Sequence, residues 1–114
     1  MFDLHDEFTN AHLKRIKKGV VNGAFSLSSR QKNMDFIAKL GLSNPNGKIK
    51  HIITTLNLDN YYSGPEKSKI NKDDDIYKFK VKVDDYDVYL KIGYLEENGE
   101  KFVTCISFYE WGDV

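Results

Sequence analysis

Residues 76–83, Ile76-Tyr77-Lys78-Phe79-Lys80-Val81-Lys82-Val83, and the following Val88-Tyr89-Leu90-Lys91-Ile92 decide the fold. Successive side chains of a strand point to opposite sides. Tyr77, Phe79, Val81 and Val83 therefore share one face, and Lys78, Lys80 and Lys82 share the other. In the second segment Val88, Leu90 and Ile92 form the apolar set, while Tyr89 and Lys91 point away from it. A two-residue turn at Asp84-Asp85 pairs Val81 with Val88 and Phe79 with Leu90. The same register sets Lys80 beside Tyr89 and Lys78 beside Lys91.

A third strand follows from the next turn. A three-residue loop Glu97-Asn98-Gly99, with Gly99 in the left-handed conformation of a bulged hairpin, pairs Leu90 with Ile106 and Val88 with Phe108. Tyr89 then faces Ser107. A two-residue Asn98-Gly99 turn would turn the apolar set of this strand to the wrong side, so the longer loop is expected. The result is an antiparallel sheet of three to four strands. One face is apolar, and the other carries Lys78, Lys80, Lys82, Tyr89, Lys91, Ser107 and Tyr109, a combination suited to a phosphate backbone.

Three helical signals precede the sheet. Leu13, Ile16 and Val20 form the first apolar stripe, with Gly19 or Gly23 as its stop. The second is expected to start from Ser28 or Ser29 as N-cap, to use Met34, Ile37 and Leu40, and to end at Gly41. The third runs from about Lys48 through Ile49, Ile52, Ile53 and Leu56, after the breaker Asn44-Pro45-Asn46-Gly47. These stripes are expected to cover the apolar sheet face, giving an α+β fold. The polar stretch from Tyr61 to Asp75 reads as a long connecting loop, a place where function often resides.

With 114 residues, the chain (1–114) is expected to form a single domain with one core. No apolar run approaches the roughly 20 residues of a membrane span. The opening Met1-Phe2-Asp3-Leu4-His5-Asp6 lacks the basic start and apolar core of a signal peptide, so a cytoplasmic location is expected. The 17 basic and 17 acidic residues balance, yet they segregate. Basic residues collect in Lys14-Arg15-Ile16-Lys17-Lys18 and on the strand face, which leaves room for a local basic patch. Cys105, the lone cysteine, reads as a packing residue. His5, His12 and His51 show no ligand spacing and read as surface or helix-face residues. Asp73-Asp74-Asp75 reads as a solvated charge run, so no metal and no cofactor are expected. Trp111 is expected to cap the core.

The order of these features resembles the MqsR family, the motility quorum-sensing regulator toxins of type II toxin-antitoxin systems. The likeness is carried by His12-Leu13-Lys14-Arg15-Ile16-Lys17-Lys18, Leu40-Gly41-Leu42, Asp59-Asn60-Tyr61-Tyr62, Val88-Tyr89-Leu90-Lys91 and Cys105-Ile106-Ser107-Phe108. It covers roughly residues 10 to 110. The resemblance implies a RelE-like fold and a metal-independent endoribonuclease, an mRNA interferase that cuts messenger RNA at short sequences. It also implies a cognate antitoxin protein as partner. Tyr89 matches the family's active-site tyrosine, and Lys78 falls near a functional polar position. Tyr62 ends the aromatic pair that precedes a functional lysine. Ser63 stands in that lysine's place, with Lys67 the nearest replacement. Members usually carry a lysine or histidine where this chain has Tyr109.

Metal-free RNA cleavage needs a base for the ribose 2′-OH, positive charge around the phosphorane and an acid for the leaving 5′-oxygen. Tyr89, Lys91, Lys78, Tyr109 and Lys67 are the candidates for that chemistry. Tyr62, Lys80, Lys82 and Ser107 are the candidates for holding RNA, with Tyr61 or Tyr62 stacking on a base. The alternative reading is a catalytically silent binding module, such as a phage or host-defence inhibitor, that uses the same Lys/Tyr face.

Overall fold

A computed structural model describes residues 4–69 and 73–114. Among these, three helices, α1 (Leu4–Asn22), α2 (Gln31–Leu40) and α3 (Pro45–Thr54), accompany five strands, β1 (Ala24–Leu27), β2 (Tyr61–Lys67), β3 (Asp75–Val83), β4 (Tyr86–Glu97) and β5 (Glu100–Glu110). They form one sheet in the order β1-β5-β4-β3-β2. The α+β class holds. The expected antiparallel sheet of three to four strands is corrected to a mixed sheet of five, because β1 runs parallel to β5 and pairs Ala24 with Phe102 through Leu27 with Cys105. The stretch from Tyr61 to Asp75, expected as a loop, contributes β2, an edge strand broken by register shifts around Ser63 and Glu66, and its residues 70–72 lie outside those described. Its Gly64 and Pro65 are poor strand residues, which hides it from a propensity reading.

The β3–β4 hairpin has the expected register, with Val81 opposite Val88, Phe79 opposite Leu90, Lys80 opposite Tyr89 and Lys78 opposite Lys91. Asp84, in the turn, takes the positive φ of 54° that aspartate tolerates. The β4–β5 turn is a correction. Glu97 pairs directly with Glu100, and Asn98 and Gly99 both take positive φ, 53° and 80°, as a two-residue hairpin turn requires. Tyr89 faces Tyr109, Lys91 faces Ser107 and Leu90 faces Phe108, not Ile106.

Facial agreement survives the short turn because β5 carries an extra residue. Between the pairs Lys91/Ser107 and Ile92/Cys105 the register shifts by one at Ile106, a β-bulge that resets the parity. Val103, Cys105 and Phe108 thus all enter the core. The bulge is held from α2. There Asn33, fully buried, donates from Nδ2 to the carbonyls of Ser28 and Ile106, both at 3.0 Å, while its Oδ1 accepts the Phe108 N–H at 2.8 Å. This amide continues the edge of β5 where β1 stops.

The helices cover the apolar face as expected. Leu13, Ile16 and Val20 of α1, Phe36 and Ile37 of α2, and Ile49, Ile52 and Ile53 of α3 pack with Tyr77, Phe79, Leu90 and Phe108 in one core. Gly19 is not a stop. A Cβ there would lie 2.7 Å from Val103 Cγ2, so the glycine lets α1 approach β5, and the helix runs on to Asn22. The N-cap position of α2 is Arg30 rather than Ser28 or Ser29, while Gly41 ends the helix with φ 68° as expected. The supposed breaker starts α3: Asn44 is its N-cap, accepting the Gly47 N–H, and Pro45 occupies its first turn, where proline needs no donor.

Candidate nucleic-acid interface

The face of β3, β4 and β5 away from the helices brings together most of the expected site residues. Strands lie roughly 4.8 Å apart, so the register orders their side chains in rows. One row runs Lys78, Lys91, Ser107 and the next Lys80, Tyr89, Tyr109. Lys82 belongs to a third row near the Asp84 turn, where it pairs with Asp87 at 3.4 Å.

Arg30 joins the first row from the start of α2, with Nη1 3.3 Å from the buried Ser107 Oγ. It is held there because Asn33, one turn along, ties α2 to the bulge that carries Ser107. Nothing in the local sequence marks Arg30, since its role depends on how α2 meets the sheet edge. Glu66 of β2 completes the group with an ion pair of 3.0 Å to Lys78.

Lys91 therefore stands opposite Lys78 and near Arg30. Partial burial, followed by the fields of Lys78 and Arg30, lowers its pKa from the ordinary lysine value, against an opposing influence of Glu66. On the same face Ile76 and Ile106 close over Gly93, with their Cδ1 atoms 3.6 and 3.2 Å from where a Cβ would stand. This gives Lys91 an apolar margin one row away. Tyr89 moves in the opposite direction: burial raises its pKa, with Lys78 pulling against the rise. Glu66 holds Lys78 protonated, its pKa raised chiefly by their hydrogen bond.

Aromatic rings edge this basic row. Tyr89 lies 5.6 Å from Tyr109 and 5.7 Å from Trp111 between ring centroids, and Tyr62 lies 4.9 Å from Trp111. Lys80 Nζ stands 5.1 Å from the Trp111 ring centre, and Lys32 stands 5.0 Å from that of Tyr109. The expectation that Trp111 caps the core is corrected, because its ring neighbours lie on the opposite face. The signal was available: Trp111 follows Tyr109 by two residues, which keeps the parity of the Lys/Tyr face. The Tyr61-Tyr62 pair is split by the same alternation. Tyr61 packs toward Phe79 and the core, leaving Tyr62 as the exposed ring.

Lys67 is not brought to the site. It pairs with Asp75 at 2.7 Å, and Asp75 shares the parity of Tyr77 and Phe79, so Glu66 is the β2 side chain that reaches the lysine face. The pairing also shows that Asp73-Asp74-Asp75 is not a wholly solvated run. His12 likewise departs from the surface reading. It is buried, and its Nδ1 lies 2.6 Å from both Tyr77 Oη and Arg15 Nη2. Cys105 is a packing residue whose thiol burial pushes up to about 12, which removes it as a nucleophile near neutrality. Among the described residues no group of His, Cys, Asp or Glu could hold a metal ion, and no helix is long and apolar enough to cross a membrane.

A scan against protein-family models matches none to this chain, and a search of curated proteins returns no match.

Proposed function

We propose that the protein is a metal-independent, sequence-selective mRNA endoribonuclease of RelE-like fold. It would act as the toxin of a toxin-antitoxin pair, with the Lys78–Lys91–Ser107 row at its centre. The observation that carries this reading is Lys91, set between Lys78 and Arg30 beside Tyr89, with the two site groups shifted in opposite directions. A lysine lowered from its ordinary value suits the base, and a tyrosine that stays protonated keeps its proton available for the leaving oxygen. Lys91, as the neutral amine, takes the proton of the ribose 2′-OH. The 2′-oxygen then forms its bond to phosphorus. Arg30, Lys78 and Lys80 stabilise the charge on the phosphorane oxygens. As the bond to the 5′-oxygen breaks, Tyr89 supplies its proton, leaving a 2′,3′-cyclic phosphate and a 5′-hydroxyl.

Ser107 and Tyr109 orient this pair, Tyr109 standing at the position that is usually lysine or histidine in the family the sequence resembles. Lys67, on the other side of the sheet, has no part in the mechanism. Messenger RNA as substrate implies action in the cytoplasm, and a basic face of this kind would be neutralised by an antitoxin of complementary charge.

The test is incubation of the purified protein with a long natural mRNA in EDTA, followed by mapping of the new ends. Discrete cuts at a recurring short sequence, absent with Lys91→Ala, are expected. RNA left intact by the wild-type protein would overturn the reading.

A further inference from the structure

Trp111 is the chain's single tryptophan, and it sits where core packing does not explain it. Its neighbours are two tyrosine rings at steep angles, Tyr62 at 73° and Tyr89 at 75°, together with the Lys80 ammonium. Tyr62 is 61% exposed, and the other large exposed apolar side chains, Phe8, Val21 and Val114, are not part of this cluster. A half-buried indole beside an exposed phenol is thus built into the edge of a row of cations. Indole and phenol faces accept planar groups, and neighbouring ammonium and guanidinium groups accept phosphate. A ligand that offers both at nucleotide spacing is a single-stranded nucleic acid.

We propose that Tyr62 and Trp111 form a nucleobase-stacking subsite beside the Lys91 row. One unpaired base lies on these rings, while Lys80 exchanges the indole for that nucleotide's phosphate. This deepens the endoribonuclease reading and rests on it for the identity of the substrate. Duplex RNA is excluded, because a base inside a duplex has both faces covered by its stacked neighbours. Lys80 is the coupling element: its ammonium stands over the indole in the free protein and is displaced toward the backbone of the incoming strand. The subsite therefore binds a base and its phosphate together, adjacent to the bond presented to Lys91.

The lone tryptophan supplies its own reporter. The full chain is titrated with a fluorescein-labelled 2′-O-methyl RNA decamer of one mixed, non-self-complementary sequence, whose blocked nucleophile prevents cleavage. Binding is read by anisotropy, and Trp111 emission is read on an unlabelled copy. Saturable quenching of Trp111 is expected with the single strand and not with its duplex. Tyr62→Leu and Trp111→Leu should each weaken binding by about tenfold, within the range for loss of one stacked base. Trp111→Phe, which keeps a ring, should bind within about threefold of wild type on the same stacking argument. Tyr62→Leu alters an exposed ring and keeps the test valid should Trp111→Leu fail to fold. Lys80→Ala should reduce the dependence of log affinity on log salt by about one.

Binding without a change in Trp111 emission, or unchanged affinity in both leucine variants, overturns the subsite. Retained mRNA cleavage in that case leaves the endoribonuclease reading standing. Quenching that depends on Tyr62, with no cleavage of any RNA, does the reverse: the subsite stands and the protein is a binding module. Absence of any RNA binding overturns both.

Discussion

The two faces of β3, β4 and β5 are made from alternate residues of the same strands, yet they obey different rules. On the helix side Phe79, Leu90 and Phe108 are fully buried, and each is placed by packing. On the other side Lys78 stands opposite Lys91, with Arg30 near the Ser107 end of the row. Like charges facing each other across a sheet are destabilising. The first face is what folding requires, whereas the second carries a small electrostatic cost that folding does not explain. Glu66 offsets part of that cost at Lys78, and on the proposed reading a bound phosphate relieves the remainder at Lys91 and Arg30, which is why the two faces should respond differently to mutation.

The largest effect should come from truncating the inner face. Phe79→Ala should lose about 3–5 kcal/mol, measured by urea unfolding, which for a domain of this size is a large share of its stability. Lys91→Ala should instead leave the unfolding midpoint at or slightly above wild type while lowering the cleavage rate by about a hundred- to ten-thousand-fold. Equal losses of stability in the two variants would break the distinction between the faces. Asn33→Ala sharpens it, because this residue belongs to the fold but holds the bulge under Ser107. Loss of its amide strands the Ile106 carbonyl and the Phe108 N–H, with an expected cost of about 2–3 kcal/mol. Cleavage measured well below the melting temperature should fall as well, although Asn33 is buried away from substrate. Full activity in a destabilised Asn33→Ala would show that the bulge does not position Ser107.

That bulge also marks where the sequence stops being legible. The β3–β4 hairpin could be read residue by residue, because parity alone sets its register and the Asp84-Asp85 turn admits one answer. The β4–β5 pairing could not, because Asn98-Gly99 is a strong two-residue turn whose parity conflict is resolved by one extra residue in β5 and a side chain 73 positions away from it. Membership of the Lys/Tyr face was legible for Lys78, Lys80, Lys82, Tyr89, Lys91, Ser107 and Tyr109 despite the misassigned partners, because the bulge restores the expected side for Ser107 and Tyr109. Trp111 has the same parity, and the general habit of tryptophan to pack in cores masks it. Arg30 and Glu66 carry no local signal: one arrives from a helix start, the other from an irregular edge strand. His12 is buried only because α1 lies across Tyr77, a tertiary fact.

The pH dependence of cleavage tests the outer face more finely. Lys91 must be neutral to act as base, so the rate should rise with pH through a value below the ordinary lysine pKa, since burial and its cationic neighbours lower it. Tyr89 must be protonated to act as acid, so the rate should fall again at a pH above the ordinary tyrosine value, since burial raises it. Tyr89→Phe should lower the rate by about a hundredfold, the lower part of the range for one positioned proton donor, and should remove the alkaline fall. A profile that keeps its alkaline limb in Tyr89→Phe would transfer the role of acid to another group, with Tyr109 next in the same row.

The smallest effect belongs to His12, which packs on the inner face. Both Tyr77 and Arg15 bring donors to His12 Nδ1, so the ring accepts there and its proton resides on Nε2, leaving the imidazole neutral. Burial, then the charge of Arg15, lowers the His12 pKa, while Asp75 opposes them. Tyr77 has its hydroxyl raised to about 12 by burial first and stays protonated throughout. The unfolded chain therefore takes up a proton on His12 at a higher pH than the folded one. The contribution of His12 to stability is complete above the ordinary histidine pKa of about 6.5, declines as pH falls below it, and is lost once pH passes beneath the lowered value in the fold. The melting temperature should drop by a few degrees across that interval, and His12→Gln should flatten this part of the curve at the cost of a lower plateau. On the proposed mechanism cleavage follows Lys91 and not His12, so the two faces of one sheet should yield two separate pH dependences. An acid transition in Tm unaltered by His12→Gln would assign the loss to carboxylates instead.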